Sequence, residues 1–346
     1  MRNVSWYVLL FAFIGFVPFA KSAENVPAGY LVFVSNERSG DVSVIDGETN
    51  EVQATIPVGM RPRGLHCSPD GRLVYVALSG SPLMGPGVDR KYAEEKKSIK
   101  SADGVAVIDA TDLRMVNRLE AGSDPEQFAL SKDGTRLYIA DEDVATATVV
   151  SLPSGSKLAE VKVSEEPEGV AVNPVTGRVY VTCEEKGLVF SFGPGGEEPI
   201  HQFKVGGRPR SMAFLPDGSR GYVPAETDSL LSIIDTSKDE VIGTIPTGPG
   251  TKPMGTAITR DGKELYVTTG RGNSVAVIDT ASNKVVDSVA VGSRVWGIAL
   301  SPDETKAYTC NGLSNDVSLV DLKNRRELKR IKVGQAPWGV AVVAKR

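Results

Sequence analysis

A unit of about 42 residues recurs along most of the chain. Its clearest copy, residues 265–306, reads LYVTTGRGNSVAVIDTASNKVVDSVAVGSRVWGIALSPDETK. One aromatic position marks each copy, at Phe33, Tyr75, Tyr138, Tyr180, Tyr222, Tyr266 and Tyr308, with intervals of 42, 63, 42, 42, 44 and 42 residues. Repeats of this length are single supersecondary units that bury their apolar faces by stacking on one another, so no independent second domain is expected between them.

Each copy contains four short runs rich in Val, Ile, Leu and Tyr, separated by clusters of Gly, Asn, Asp and Pro. This pattern is typical of four antiparallel strands. Four strands in about 40–45 residues indicate a propeller blade. From the axis outward we name them A (PxGIALSPDG), B (LYVT), C (SVAVID) and D (KVVDSVAV). The sequence therefore predicts an all-β, seven-bladed β-propeller with four antiparallel strands per blade.

The two ends of the chain supply complementary parts of one blade. Residues 30–58 provide strands B, C and D, and a lone A strand follows at residues 338–343. We expect these strands to pair in one blade, because closing the ring leaves only short, protected edges. Residues 24–346 are thus predicted to form a single domain.

Residues 1–23 differ from the repeats. Arg2 is followed by eighteen uncharged residues, then Lys21 and a small-residue exit at 20–23, a pattern typical of a secretory signal peptide. An uncleaved anchor is the alternative, since about 18 apolar residues is the lower limit for a membrane span; Pro18 favours cleavage. We expect a periplasmic or secreted protein without a membrane attachment after cleavage.

Cysteine and histidine are too sparse for the common metal sites. Cys67, Cys183 and Cys310 lie far apart, without CxxC or CxxCH spacing, and are expected to be buried free thiols. The chain has two histidines, His66 and His201, and the latter is expected on the surface. We therefore predict no metal, no cofactor and no catalytic residues. With 39 basic and 43 acidic residues, the chain is also not expected to bind nucleic acid.

The segments LYVTTGRGNSVAVIDTASNKVV and VYVTC…PEGVAVNPVTGRVYVT resemble the YVTN family of seven-bladed β-propeller repeats, over residues 30–346. Within that family, YVALSGSPLMGPGVD, SADGVAVID, DPEQFALSKDG and EPEGVAVNP resemble the PQQ-dependent catabolism-associated β-propeller proteins. The resemblance implies an exported protein that accompanies periplasmic quinoprotein alcohol dehydrogenases. It does not imply a known reaction.

One B-to-C loop is much longer than the others. The aromatic marker and the end of strand C are 13 residues apart in three blades but 34 apart between Tyr75 and Asp109. The insertion, about residues 79–103, carries Asp89, Arg90 and Tyr92 and is interpreted as a lid over a binding site. A solvated decoration is the alternative.

The residue between Pro and Gly at the start of each A strand should form a ring at the mouth of the channel. Around the ring it is Arg63, Glu126, Glu168, Arg210, Met254, Trp296 and Trp338. One side of this mouth is charged and the other apolar, and both tryptophans outside the leader occupy it. We interpret the mouth as a binding site for a small organic molecule, anionic or aromatic, or for the side chains of a periplasmic partner. Alternatively, Arg63 pairs with Glu126 and Glu168 with Arg210, while the tryptophans plug the channel.

His66 stands where the other six A strands have alanine. It is a candidate proton carrier or ligand near the axis, and a structural histidine is the alternative. Taken together, these features favour a non-enzymatic binding or accessory protein. The alternatives are a hydrolase or isomerase of the lactonase type, which also uses seven-bladed propellers, and a nucleic-acid-binding YVTN propeller.

Overall fold

Seven antiparallel sheets of four strands are arranged in a ring in the computed structural model, which describes residues 29–83 and 97–345. This confirms the predicted seven-bladed β-propeller. Blade 1 contains strands β28, β1, β2 and β3, and blades 2 to 7 use β4 to β27 in consecutive groups of four. The first strand of each group is strand A, next to the central channel.

The first four blades use fifteen strands of the N-terminal half together with β28. In chain order these fifteen are β1 Tyr30–Asn36, β2 Asp41–Asp46, β3 Glu51–Pro57, β4 Pro62–Cys67, β5 Leu73–Leu78, β6 Gly104–Asp109, β7 Arg114–Leu119, β8 Pro125–Leu130, β9 Arg136–Asp141, β10 Thr146–Ser151, β11 Lys157–Lys162, β12 Pro167–Val172, β13 Val179–Cys183, β14 Leu188–Phe192 and β15 His201–Lys204. Two short 3₁₀ turns accompany them, at Lys100–Ala102 and Glu142–Val144.

The C-terminal half supplies the remaining strands. They are β16 Ala213–Phe214, β17 Arg220–Ala225, β18 Leu230–Asp235, β19 Glu240–Pro246, β20 Pro253–Ile258, β21 Glu264–Thr269, β22 Ser274–Asp279, β23 Lys284–Ala290, β24 Val295–Leu300, β25 Lys306–Asn311, β26 Asp316–Asp321, β27 Arg326–Lys332 and β28 Pro337–Ala344.

Strand β28 closes the ring by pairing with β1, as predicted. The antiparallel register runs from Tyr30 opposite Ala344 to Val34 opposite Val340. Lys345 extends the closure, because its N–H donates to the Gly29 carbonyl at 2.8 Å. The terminal strands therefore complete one blade.

The apolar pattern of each strand reflects its place in the blade. Strand β21, a B strand, is buried along nearly its whole length, whereas the outer strand β23 is exposed at all but one residue. The recurring aromatic of strand B is fully or almost fully buried in every blade. Packing between neighbouring sheets therefore forms the core.

The aspartate that ends most C strands initiates the turn to strand D. Asp46 Oδ1, for example, accepts hydrogen bonds from the backbone N–H groups of Glu48 and Thr49 at 2.9 and 2.8 Å. Asp109 and Asp235 accept corresponding bonds from residues two positions later. These contacts confirm the structural role predicted for the repeated aspartate.

Other sequence expectations have mixed outcomes. The three cysteines are free thiols, but Cys67 is partly exposed while Cys183 and Cys310 are buried. The long loop connects β5 to β6, and its described parts, residues 79–83 and 97–103, lie on the face that also carries the starts of the A strands. Residues 1–23 lie outside the described residues. No helix within the described residues is long and apolar enough to cross a membrane.

Candidate functional site

A β-bulge at the start of the A strands shapes the mouth of the channel. In β4 the pairing with β5 shifts between Pro62 and Leu65, and β8, β12, β20 and β24 shift at the equivalent point. A bulge bends its strand and changes the direction of a side chain. The residue after proline, such as Arg63, lies in this irregular segment.

Glycine follows that residue in most blades because the A strands approach each other closely there. A Cβ at Gly169 would lie 2.2 Å from the Arg210 carbonyl oxygen of the next blade, and one at Gly255 would lie 2.5 Å from that of Trp296. The Arg210 carbonyl also accepts a hydrogen bond from a strand B hydroxyl, because Thr182 Oγ1 donates to Arg210 O at 2.6 Å. These contacts fix the mouth residues relative to one another.

Three rings of residues surround the mouth, one residue per blade in each. The inner ring, in the order of blades 1 to 7, is Trp338, Arg63, Glu126, Glu168, Arg210, Met254 and Trp296. The turn ring, which lies two positions before the inner ring in the sequence, is Ala336, Arg61, Asp124, Glu166, Arg208, Lys252 and Arg294. The B-end ring, which follows strand B directly, is Glu37, Ser79, Glu142, Glu184, Glu226, Gly270 and Gly312.

Backbone geometry brings the turn ring and the B-end ring together. All seven turn residues have a left-handed φ, between 41° and 56°. In five blades the B-end N–H donates to the carbonyl of the turn residue of the same blade, as from Glu184 to Glu166 at 2.9 Å and from Gly312 to Arg294 at 2.9 Å. The turn ring and the B-end ring therefore result from backbone geometry that most blades share.

Arg63 is almost completely buried among carboxylates. It forms ion pairs with Asp124 at 3.0 Å, with Glu126, and with Glu142 at 3.7 Å. Ser79 Oγ donates to Asp124 Oδ1 and links this cluster to the start of the insertion. Arg63 therefore has internal partners from each of the three rings.

Arg210 occupies a second cluster of the same type. It forms ion pairs with Glu168 at 2.8 Å and with Glu184, and its Nε donates to Glu226 at 2.8 Å. Arg208 of the turn ring also forms an ion pair with Glu184. Two inner arginines are therefore surrounded by six carboxyl groups.

This excess of carboxyl groups changes their protonation. Burial, together with the negative charge of Glu168, raises the pKa of Glu184 to about 9. Burial likewise raises the pKa of Glu142 to about 7, against the opposing attraction of Arg63. The crowding of carboxyl groups at the mouth thus favours the protonated form of Glu184 and, less strongly, that of Glu142.

The apolar half of the mouth consists of Met254 and the two tryptophans. The rings of Trp296 and Trp338 stack with centroids 5.7 Å apart. The guanidinium carbon of Arg294 lies 4.7 Å from the centroid of Trp296, and that of Arg210 lies 5.7 Å from it. Trp296 therefore contacts both an aromatic ring and two cations.

Two adjoining cavities follow the channel below this mouth. The upper cavity, about 40 Å³, is bordered by the apolar residues on one side and by Glu168 and Arg210 on the other. The lower cavity, about 140 Å³, extends past His66 between the A strands. Gln127 and Trp338 border both, so the channel continues inward from the mouth.

His66 borders the lower cavity and packs edge-on against Phe128, with ring centroids 5.1 Å apart. Burial lowers the pKa of His66 to about 4, and the nearby Gln127 amide only partly opposes this effect. His66 is therefore neutral at physiological pH. His201, expected on the surface, is half-exposed, and its Nδ1 lies 3.0 Å from Asp239 Oδ2.

The predicted inner ring is thus assembled at one mouth, charged on one side and apolar on the other. Arg63 and Arg210 form the internal ion pairs that the structural alternative predicts, so both guanidinium groups have internal counter-ions. Ligand binding at the ring stays a prediction.

Asp89, Arg90 and Tyr92 of the suggested lid lie outside the described residues. Across residues 29–83 and 97–345, no group of three His, Cys, Asp or Glu residues is placed to hold a metal ion.

The sequence interpretation missed the turn and B-end rings. Both were detectable, because each is one column of the aligned repeat. The B-end column contains four glutamates, one serine and two glycines. Those glycines accompany large apolar inner residues: a Cβ at Gly312 would lie 2.9 Å from the indole of Trp296, and one at Gly270 would lie 3.0 Å from Met254 Cγ.

Comparison with known proteins identifies the architecture. No family model matches the chain. Antigen Lp49 of Leptospira interrogans is 27% identical over 166 residues, which are 40% of this chain and 36% of that protein. The match therefore spans little more than a third of its length.

Solved structures match almost the whole chain. A functionally unknown protein from Desulfotomaculum acetoxidans aligns with a TM-score of 0.75 and 16% identity, covering 91% of this chain and 99% of the other. A candidate 6-phosphogluconolactonase from Bacteroides fragilis aligns with a TM-score of 0.72 and 17% identity, covering 92% of this chain and 99% of the other. Hydrazine synthase of Kuenenia stuttgartiensis aligns with a TM-score of 0.70 and 19% identity, covering 89% of this chain and 99% of the matched chain. At such identities the likeness shows the fold alone: the chain is a seven-bladed β-propeller.

Proposed function

We propose that the chain is an exported, non-enzymatic binding protein that holds a small organic molecule at the apolar half of its channel mouth. The observation that carries the proposal is the stacked pair Trp296 and Trp338, which borders the upper cavity together with Met254. Aromatic rings at the opening of a cavity provide a large contact area for a flat or apolar ligand. The polar groups of Glu168 and Arg210 across the cavity would orient it.

The size of the cavities favours a small molecule over a protein segment as the occupant. An apolar cavity of about 150 Å³ holds a molecule the size of benzene. The lower cavity has a similar volume, about 140 Å³, with polar groups such as Gln127 and His66 in its lining, and the upper one adds about 40 Å³. A ligand of this size would occupy the channel while part of it contacts the mouth.

The proposed setting is periplasmic PQQ-dependent alcohol catabolism. Its support is the resemblance of segments such as YVALSGSPLMGPGVD and SADGVAVID to proteins associated with that process. The leader-like composition of residues 1–23 supports export. In this setting the protein would carry or sense a metabolite rather than transform it.

The test is native mass spectrometry of protein recovered from the periplasm of an expressing bacterium. We expect a bound molecule that is released on unfolding and that is reduced in Trp296→Leu. Leu328→Ala, an exposed change on the outer strand β27, is the control. Equal ligand occupancy in wild type and Trp296→Leu would contradict binding at the mouth, and its absence from wild type would contradict capture.

A lactonase-type hydrolase is the second candidate function, and one observation favours it. Glu142 lies at the mouth with a third of its side chain exposed and a pKa of about 7, suited to a general base near neutral pH. Hydrolysis of a lactone panel that depends on Glu142 would support this function. Equal rates of lactone hydrolysis in wild type and Glu142→Gln would contradict this function.

A further inference from the structure

Three cations beside the apolar half of the mouth lack a close carboxylate. Lys252 Nζ and Arg294 Nη2 lie 3.8 and 3.9 Å from the same Glu226 oxygen, too far for hydrogen bonds. Arg271 is exposed and forms no side-chain ion pair or hydrogen bond within the part of the chain that the structure describes. The other oxygen of Glu226 already accepts from Arg210. One shared carboxylate therefore leaves this patch with excess positive charge.

In four places around the ring, the B-end residue of one blade lies next to the turn residue of the following blade. The pairs are Glu37 with Arg61, Ser79 with Asp124, Glu184 with Arg208, and Glu226 with Lys252. By this rule the partner of Arg294 should come from position 270 of blade 6. That position is glycine, so Arg294 lacks the carboxylate that the rule would provide.

Other contacts hold Arg294 in place without neutralising it. Its backbone N–H donates to Asn273 Oδ1 at 2.9 Å, and its guanidinium lies over the ring of Trp296. Its Nε is buried and has no hydrogen-bond partner in the described structure. Burial lowers the pKa of this guanidinium, and the attraction of Glu226 does not offset the effect. An unpaired buried donor is costly, so an incoming acceptor would be favoured.

We propose that the mouth selects an organic carboxylate, whose anionic group takes the place of the missing side chain at position 270 and pairs with Arg294 and Arg271. The apolar body of the ligand would lie against Met254 and Trp296. This inference rests on the proposed function of the mouth and specifies the ligand class. It assigns charge recognition to Arg294 of the turn ring and to Arg271, which follows Gly270, instead of to Arg63 and Arg210, which have internal partners.

The position of Gly270 explains why the site suits an outside carboxylate. Met254 Cγ would lie 3.0 Å from a Cβ at this position, so the apolar wall packs closely against Gly270. A ligand that brings its own carboxylate from solvent meets both the apolar wall and the unpaired cations. A guanidinium pairs well with a carboxylate because it can present two parallel N–H groups.

The test compares three probes of the same shape: 2-naphthoate, 2-naphthamide and 2-naphthylmethylamine. Binding is measured by calorimetry and by quenching of tryptophan fluorescence in the full chain. We expect naphthoate to bind at least about tenfold more tightly than the amide, since a charge-assisted hydrogen bond exceeds a neutral one by about this factor. The amine should bind most weakly.

Variants locate the selectivity. Arg294→Gln and Arg271→Gln should each weaken naphthoate binding severalfold and leave the amide unchanged. Gly270→Glu should weaken naphthoate by about tenfold by supplying an internal carboxylate, whereas Gly270→Gln, of the same size, should affect anion and amide alike. Arg114→Gln, at the exposed start of the outer strand β7, is the control and should change nothing.

The outcomes separate the two proposals. If none of the probes binds, the proposed function fails and this inference fails with it. If the amide or the amine binds as tightly as naphthoate, or if Gly270→Glu and Gly270→Gln behave alike, carboxylate selection is wrong while binding at the mouth stands. If naphthoate preference survives Arg294→Gln and Arg271→Gln, the assignment to these two arginines is wrong.

Discussion

The indole rings of Trp296 and Trp338 stack with their planes inclined by 23° and their centroids 5.7 Å apart. They belong to β24 and β28, the neighbouring A strands of blades 7 and 1. Gly297 permits this approach, because a Cβ there would lie 2.7 Å from the Trp338 carbonyl oxygen. The pair is therefore both a wall of the channel and a contact between blade 7 and blade 1, which carries both chain ends.

Trp338→Ala should destabilise the protein more than Trp296→Ala. Trp338 is 7% exposed, and truncating a buried tryptophan to alanine costs about 3–5 kcal/mol. Trp296 is more exposed and loses less on truncation. Urea unfolding of both variants measures the difference, and a cost under about 1 kcal/mol for Trp338→Ala would show that the pair has little structural role.

Deletion of residues 334–346 should abolish the soluble monomer. Without β28, strand β1 exposes an unpaired edge next to an opened channel, and such edges promote aggregation. Deletion of Arg346 alone is the matched control and should leave the protein unaffected. Size-exclusion chromatography and a thermal melt provide the measurement; a soluble truncated chain with one cooperative transition would contradict closure by β28.

Arg63→Ala should lower the free energy of unfolding by about 3–5 kcal/mol, because it leaves buried carboxylates without their counter-ion. Arg63 is 3% exposed and pairs with Asp124, Glu126 and Glu142. The exposed pair of Arg72 and Asp70 is the comparison, since surface pairs contribute about 0–1 kcal/mol. Similar losses for Arg63→Ala and Arg72→Ala in urea unfolding would contradict the structural role of Arg63.

The repeat pattern predicted the fold well, but it predicted only part of the mouth. The period, the aromatic marker and the divided blade required a closed ring, and the Pro-x-Gly position indicated which side chains meet at the axis. Pairing of Arg210 with Glu168 was one of the predicted alternatives, whereas its contacts with Glu184 and Glu226 were not foreseen. Those contacts depend on how the turn before strand A folds over the end of strand B, which periodicity alone does not specify.

Glu184→Gln should stabilise the protein at alkaline pH and have little effect near pH 5. The folded-state pKa of Glu184, about 9, lies above its ordinary value of 4.5. Between these values the folded state binds more protons than the unfolded state, so this group makes stability fall as pH rises. Glutamine avoids that loss because it carries no charge.

Thermal melts of wild type and Glu184→Gln at pH 5 and pH 9 measure this effect. Glu120→Gln, at an exposed position, is the control. The gap between Glu184→Gln and wild type should widen with pH, and a constant gap would mean that Glu184 is ionised throughout the range.

His66→Ala should make the protein less sensitive to acid. The pKa of His66 is about 4 in the folded protein, below its ordinary value of 6.5. The unfolded state therefore binds more protons between these values, and stability falls as the pH drops from about 6.5 to about 4, by roughly 3 kcal/mol when complete. Alanine occupies the equivalent position in the other six A strands, so His66→Ala should fold. Urea unfolding of wild type, His66→Ala and His201→Ala at pH 7 and pH 4.5 measures the change. If the free energy of unfolding falls between pH 7 and pH 4.5 as steeply in His66→Ala as in wild type, protonation of His66 has no cost to the fold.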